Sequence, residues 1–230
     1  MKKWMCFIVL SGCLFVFTAN AVLPLPSNLI DFTSQSGLAL MKKNSTEITL
    51  NLLENFTTEY GTTYCSVASA VMALNSINVP QPDDLQHPSF KYFTQDNFFT
   101  DQVTKVVKKE EVAKSGMTLE QLTAAINAHG AHANAFHASK LTLTKARQLL
   151  INALEKKEPV IANVLRTGLN QKGGGHHSPI ASYDKQTDRF LFLDVARYKY
   201  HSSWIKTSDL WNAMNTMDDG SSRGFIVVSR

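Results

Sequence analysis

One cysteine, a pair of histidines and an aspartate carry the residue types, in the order, that nucleophilic acyl transfer would need. Cys65 stands in Thr62-Thr63-Tyr64-Cys65-Ser66-Val67-Ala68-Ser69, where Gly61 and two threonines give way to small and apolar residues. A cysteine nucleophile needs a lowered pKa, a base and an oxyanion hole. A helix N-terminus supplies the first through its dipole and can supply the third through its backbone N–H groups. Cys65 falls where a helix is expected to begin. The base would be a histidine, and Gly173-Gly174-Gly175-His176-His177-Ser178-Pro179 brings two to the lip of a strand. Asp194 closes the next strand. If the turn between those strands centres on Lys185, His176 and Asp194 face each other with Cβ atoms about 4.5–5.5 Å apart, and the carboxylate can orient the imidazole. A register one residue different would bring in His177, and turn chemistry alone does not decide. In the preferred register His177 is a solvent-facing neighbour. Gly175 and the two glycines before it would let a substrate backbone come close. The plainer readings are an inert buried cysteine, a flexible glycine loop and an ordinary strand-end aspartate.

The elements that must hold these residues are legible in outline. Pro24, Pro26 and the Ser/Gln/Gly cluster at 34–37 make 24–45 an irregular lead-in segment. From Cys65 the apolar residues Val67, Ala70, Val71, Leu74 and Ile77 keep helical spacing up to Asn78-Val79-Pro80. Residues 81–100 read as loop with aromatic anchors. A helix is predicted over 101–114. A second starts at the capping box Thr118-Leu119-Glu120-Gln121 and stops near Gly130, and a third covers 144–157. Alternation from Ala131 to Phe136 predicts a strand. Three more are predicted at 159–165, 178–183 and 189–195, the last two joined by a polar turn at 184–188, and a final one at 224–229. Helices come first and strands later, so the class is α+β with an antiparallel sheet.

Composition bounds the rest. The chain has 230 residues, 44% hydrophobic and 18% charged, which suits one domain with a sizeable core. Met1 to Ala21 reads as an export signal: two lysines, an apolar run from Trp4 to Phe17, and the cleavage pattern Ala19-Asn20-Ala21. That run is short of the about 20 residues a membrane span needs. Leu10-Ser11-Gly12-Cys13 resembles a lipobox, but Leu14 to Phe17 stay apolar, and cleavage after Ala21 is favoured over lipidation of Cys13. The expected organisation is therefore a signal peptide at 1–21 and one catalytic domain at 22–230, periplasmic or secreted. Removing Lys2 and Lys3 takes the formal net charge from +4 to +2, too weak a bias for nucleic acid. Lys105 to Lys114, interrupted by Glu110 and Glu111, reads as a solvated helix face. Cys65 is then the only thiol, which excludes an internal disulfide. His129, His132 and His137 would not share one face and are not expected to bind a metal.

The order Cys, His, acid, with the cysteine on a helix and the others on a later sheet, is the papain-like arrangement: a helical N-terminal lobe and an antiparallel β-sheet C-terminal lobe. The segments YCSVASAVMALNSINVP, FTQDNFF, GGHHSP, RFLFLDVARYKY and NTM…RGF, over about residues 40–230, resemble the catalytic domain of phytochelatin synthases, the short bacterial ones above all. The resemblance implies Cys65 as nucleophile, His176 rather than His177 as base and Asp194 as the orienting acid. It implies a glutathione γ-glutamylcysteinyltransferase-like enzyme that releases glycine through a Cys65 thioester, hydrolysing more than it transfers. It implies glutathione and its metal thiolates as partners. No cofactor is required, and Cd²⁺ or Zn²⁺ enters as substrate thiolate, with no metal held by the protein. A homodimer stays open. For the γ-glutamyl end the matching positions are Asp218 and Arg223, with Asp219 as a substitute for Asp218. Arg166 and Lys172 are weaker candidates for the glycine carboxylate. Two departures stand out: Glu59 where similar enzymes carry an oxyanion-holding Gln, and Ser66 where they carry Gly. They keep two rivals in view, a weakened pseudoenzyme that binds glutathione or metal thiolates, and a papain-like peptidase acting on other peptides.

Overall fold

The computed structural model describes residues 22–230. The predicted export signal and Cys13 lie outside the described residues. A two-residue strand, β1 (Ile30–Asp31), leads into helices α1 (Gln35–Asn44), α2 (Glu47–Glu54) and α3 (Cys65–Asn75). After a long loop come α4 (Asp101–Thr104), α5 (Lys109–Ser115), α6 (Leu119–Ala128), β2 (His132–His137) and α7 (Leu143–Glu155). The second half runs β3 (Val160–Leu165), β4 (Gly175–Asp184), β5 (Arg189–Phe192), β6 (Ser203–Lys206), α8 (Thr207–Met214), β7 (Met217–Asp218), β8 (Ser221–Ser222) and β9 (Gly224–Ser229). The class is α+β as expected. The seven-stranded sheet has the order β1-β6-β5-β4-β3-β9-β2, and β7 and β8 make a small ribbon. Every pairing is antiparallel. No helix among the described residues is long and apolar enough to cross a membrane.

The division into two lobes is blurred, because β1 and β2 from the first half complete both edges of the later sheet. The segment expected to be irregular holds α1. Ser34 is its N-cap, with Oγ accepting from Gly37 N at 3.1 Å, so the polar cluster is a helix start rather than a loop. Gly37 is required there, since a Cβ would lie 2.0 Å from the Asp31 carbonyl oxygen. The helix expected over 101–114 is broken. Lys108 is extended, and Glu111 folds back on its N–H to open α5. The Thr118 capping box is present as read.

Helix α3 is apolar or small around its whole circumference, and Cys65 through Leu74 are all buried, as a helix inside a core must be. It packs on β4 and β3, and against α6. Helices α1 and α2 also meet β4, so that strand is covered on both faces and buried almost continuously. This layering sets the N-terminus of α3 against the first residues of β4.

Candidate active site

Cys65 is the first residue of α3, and Tyr64, the N-cap, offers no side-chain hydrogen bond. The helix start is thus left without a capping side chain, and the first-turn N–H groups have no intrahelical acceptors. Opposite it, the backbone N–H of His177 donates to Cys65 Sγ at 3.4 Å. His176 Nε2 lies 2.9 Å from Asp194 Oδ1 and 2.9 Å from Ser178 Oγ. With Nε2 so engaged, Nδ1 is the nitrogen left for the thiol. Ligand atoms of Glu59, Cys65 and His176 all lie within 4.8 Å of one another. Asp194 also accepts both Nη atoms of Arg166, at 2.8 and 2.9 Å, and the Ala196 N–H at 3.0 Å.

The electrostatics follow from that geometry. Burial works against a charged His176, but the charge and hydrogen bond of Asp194 together with the Cys65 charge outweigh it, and the imidazole is pushed up to about 9. Burial likewise works against a Cys65 thiolate; the neighbouring His176 charge and hydrogen bond prevail and hold the thiol well below its ordinary value. Burial opposes ionisation of Asp194 too, yet the charge of His176 and the Arg166 fork keep it far below the carboxylate range. The site can therefore hold a thiolate–imidazolium pair across neutral pH. Glu59 moves the other way. Burial raises its pKa, and the adjacent Cys65 charge raises it further against the lowering effect of the Tyr198 hydroxyl, which donates to Oε1 at 2.5 Å. Oε2 of Glu59 is buried without a partner.

His176 and Asp194 meet by a different route from the one expected. The turn is longer: Asp184 pairs with Arg189, not with Gln186, and the register shifts again at Ala181 to pair Ile180 with Phe192. Continuing that register sets Ser178 across from Asp194, and His176 reaches the carboxylate from two residues along the same face. His177 is not solvent-facing. It is buried, its Nε2 has no partner, and it lines the pocket beside Cys65.

That pocket, of about 560 Å³, is the right size for a small ligand. Cys65, Gly175, Asp218, Asp219 and Arg223 line it, as does Asn163 on β3. Arg223 Nη2 donates to Asp218 at 2.9 Å, and Asn163 Nδ2 donates to the same carboxylate at 3.3 Å. A Cβ on Gly175 would lie 3.0 Å from Arg223 Nη2, so the absence of a side chain there gives the guanidinium its room. Arg166 lies elsewhere: it is buried beneath Asp194, with Nη1 also donating to Gln171 at 2.7 Å, and does not line the pocket. Lys172 is exposed and does not line it either. Ser66 is wholly buried, with no partner for its hydroxyl. The three other histidines part company. His129 is half-buried against Phe93 and Phe98, His132 is exposed, and His137 pairs with Glu120 at 2.7 Å. Sequence reasoning missed Tyr198, Asn163 and the Arg166–Asp194 fork. Tyr198 stood within a quoted motif, two residues beyond the alanine that caps Asp194, but nothing local ties it to Glu59.

A helix-borne cysteine facing a sheet-borne histidine and aspartate defines a Cys–His–Asp protein in which the fold, not the local sequence, assembles the triad. The particular family is shown by comparison: a family model described as phytochelatin synthase matches residues 20–225. The chain belongs to that family. It is 30% identical over 217 residues to glutathione γ-glutamylcysteinyltransferase 3 of Lotus japonicus, covering 91% of this chain and 44% of the relative. It is 31% identical over 216 residues to glutathione γ-glutamylcysteinyltransferase 1 of Triticum aestivum, covering 91% and 42%. The Schizosaccharomyces pombe glutathione γ-glutamylcysteinyltransferase is 25% identical over 211 residues, 89% of this chain and 50% of the relative. The chain spans about half the length of these curated relatives or less.

Proposed function

We propose that the protein is an exported acyltransferase that removes glycine from glutathione through a thioester on Cys65. The observation that carries this is the line Cys65–His176–Asp194 opening on a pocket that also holds Asp218 and Arg223. The Cys65 thiolate attacks the carbonyl joining cysteine to glycine. The first-turn N–H groups of α3 receive the oxyanion, together with Glu59 when its carboxyl is neutral. The C–N bond breaks as His176 gives its proton to the leaving amine. Water, or the amine of a second glutathione, then attacks the γ-glutamylcysteinyl thioester while His176 takes up its proton, and the thiolate is restored. Hydrolysis is the main outcome and formation of short phytochelatins the minor one, a balance that rests on the likeness to short bacterial members. Asp218 would take the γ-glutamyl ammonium and Arg223 its carboxylate. The unpartnered atoms Asn163 Oδ1, His177 Nε2 and Arg223 Nε on this wall favour a polar ligand. Glutathione and its metal thiolates are the substrates, in glutathione turnover and metal detoxification, in the periplasm or outside the cell after cleavage at Ala21.

Glu59 favours a second reading, a glutathione-binding protein disabled by a carboxylate in the oxyanion position. Incubation with glutathione separates the two. Release of glycine and γ-glutamylcysteine by the native protein, abolished in Cys65→Ser, supports the enzyme. Binding of glutathione without release supports the second reading.

A further inference from the structure

We propose that Glu59, Cys65 and His176 form a binding site for a thiophilic divalent cation, Zn²⁺ or Cd²⁺, which masks the nucleophile when it binds. The donor set comes first. A carboxylate oxygen, a sulfur and an imidazole nitrogen, all within 4.8 Å of one another and all on buried residues, form the one such group among the described residues. Oxygen, nitrogen and sulfur donors together suit zinc, and the sulfur selects against magnesium and calcium. Metal–ligand bonds of about 2.0–2.3 Å at tetrahedral angles set neighbouring donors roughly 3.3–3.7 Å apart. The three atoms therefore need to close by at most roughly 1.1–1.5 Å, a small movement for a glutamate side chain.

The surroundings are those of a built site. His176 Nε2 is fixed on Asp194, which leaves Nδ1 to face the cation, and Asp194 is itself gripped by the Arg166 fork. A carboxylate behind a ligating imidazole is the usual outer partner of a metal-bound histidine. Tyr198 holds Oε1 of Glu59. Oε2 of the same carboxylate, on a side chain almost wholly buried, has no hydrogen-bond partner. A buried carboxylate oxygen left idle beside a sulfur and an imidazole is the independent sign of a ligand. Three protein ligands leave a fourth position, and Cys65 lines the pocket, so water or a substrate thiolate would complete the shell from that side.

The cation would stand where a proton otherwise stands between Cys65 and His176, and would displace it. Free metal would therefore inhibit acyl transfer at this centre. The inference does not depend on the acyl-transfer reading, since the same three donors bind whether or not the sulfur attacks a substrate. A glutamine at 59 would offer only a neutral amide oxygen, so the site belongs to this chain's own Glu59.

The test is titration of the reduced, chelator-stripped full chain with Cd²⁺ alone, following equilibrium dialysis and the ultraviolet charge-transfer band of a cadmium–thiolate bond. One Cd²⁺ per chain with that band is expected. Cys65→Ala should lose both, and Glu59→Gln, which keeps the shape of the side chain, should weaken binding by at least ~10-fold, the lower end of what even outer partners cost. His137→Ala, at the half-buried pair with Glu120 away from this centre, should change nothing. Absence of the band at saturating Cd²⁺ would overturn the proposal. So would unchanged affinity in Glu59→Gln, full-affinity binding in Cys65→Ala, or loss of binding in His137→Ala.

Discussion

Replacing Glu59 by Gln should make the protein a faster enzyme. In the native chain an ionised Glu59 would lie within 4.8 Å of the attacking sulfur, and the oxyanion forms on the substrate carbonyl oxygen next to that sulfur. Two like charges about 4.8 Å apart at an effective dielectric of about 20 repel by roughly 3.5 kcal/mol. At ~1.36 kcal/mol per tenfold, that is about 300-fold in rate. The loss of one oxyanion donor, on the order of 10²–10³, falls in the same range. Glu59→Gln should therefore raise kcat for glycine release at pH 7 by ~10²-fold. The sign with pH is fixed by the buried carboxyl, whose pKa is raised. Below that pKa the native side chain is neutral and can donate as Gln does, so the gain should shrink as pH falls. Glu59→Ala should gain less than Gln, because it removes the charge, supplies no donor and strands the Tyr198 hydroxyl. The assay is a pH–rate profile of the three proteins with glutathione. An unchanged rate in Glu59→Gln at pH 7 would refute the oxyanion placement, and a lower rate would give the glutamate an acid–base role.

The neighbouring histidines should separate cleanly: His176→Ala should lower kcat by about 10²–10⁴ as a proton-transfer group does, whereas His177→Ala, whose contact with Cys65 is through the backbone, should keep kcat within about 10-fold and raise KM. The thiol should titrate accordingly. Burial alone pushes Cys65 up and His176 pulls it down, so the ultraviolet thiolate signal of the native protein should persist well below pH ~8.5. In His176→Ala, where only His177 still opposes burial, its midpoint should rise towards or above ~8.5; an unmoved midpoint would dissolve the ion pair.

Residue type and order were enough to bring forward Cys65, the histidine pair and Asp194, because a nucleophile at a helix start and an acid beside a histidine strand are local signals; the choice of His176 over His177 came from the family resemblance. The register was not legible. A four-residue turn and the shift at Ala181 move β5 along β4, and either could be absent without changing the composition of the hairpin. The pair survives because same-face residues on adjacent strands meet diagonally as well as directly. His177 was misjudged because alternation assigns opposite faces, one to solvent, and β4 is covered on both. Arg166 follows β3 and Asp194 follows β5, the two strands flanking β4, so their fork is a product of strand order that no spacing reveals. Helix α1 was hidden by a Ser-Gln-Ser-Gly run whose composition says loop and whose hydrogen bonding says cap.

The central claim is that Cys65 carries the acyl group. Mass measurement of the protein rapidly quenched with acid during turnover of glutathione tests it most directly. The account predicts an adduct of the mass of γ-glutamylcysteine minus water, on the peptide containing Cys65, appearing as glycine is released and absent in Cys65→Ala. Glycine released by Cys65→Ala at the native rate, with no adduct on the native protein, would contradict it.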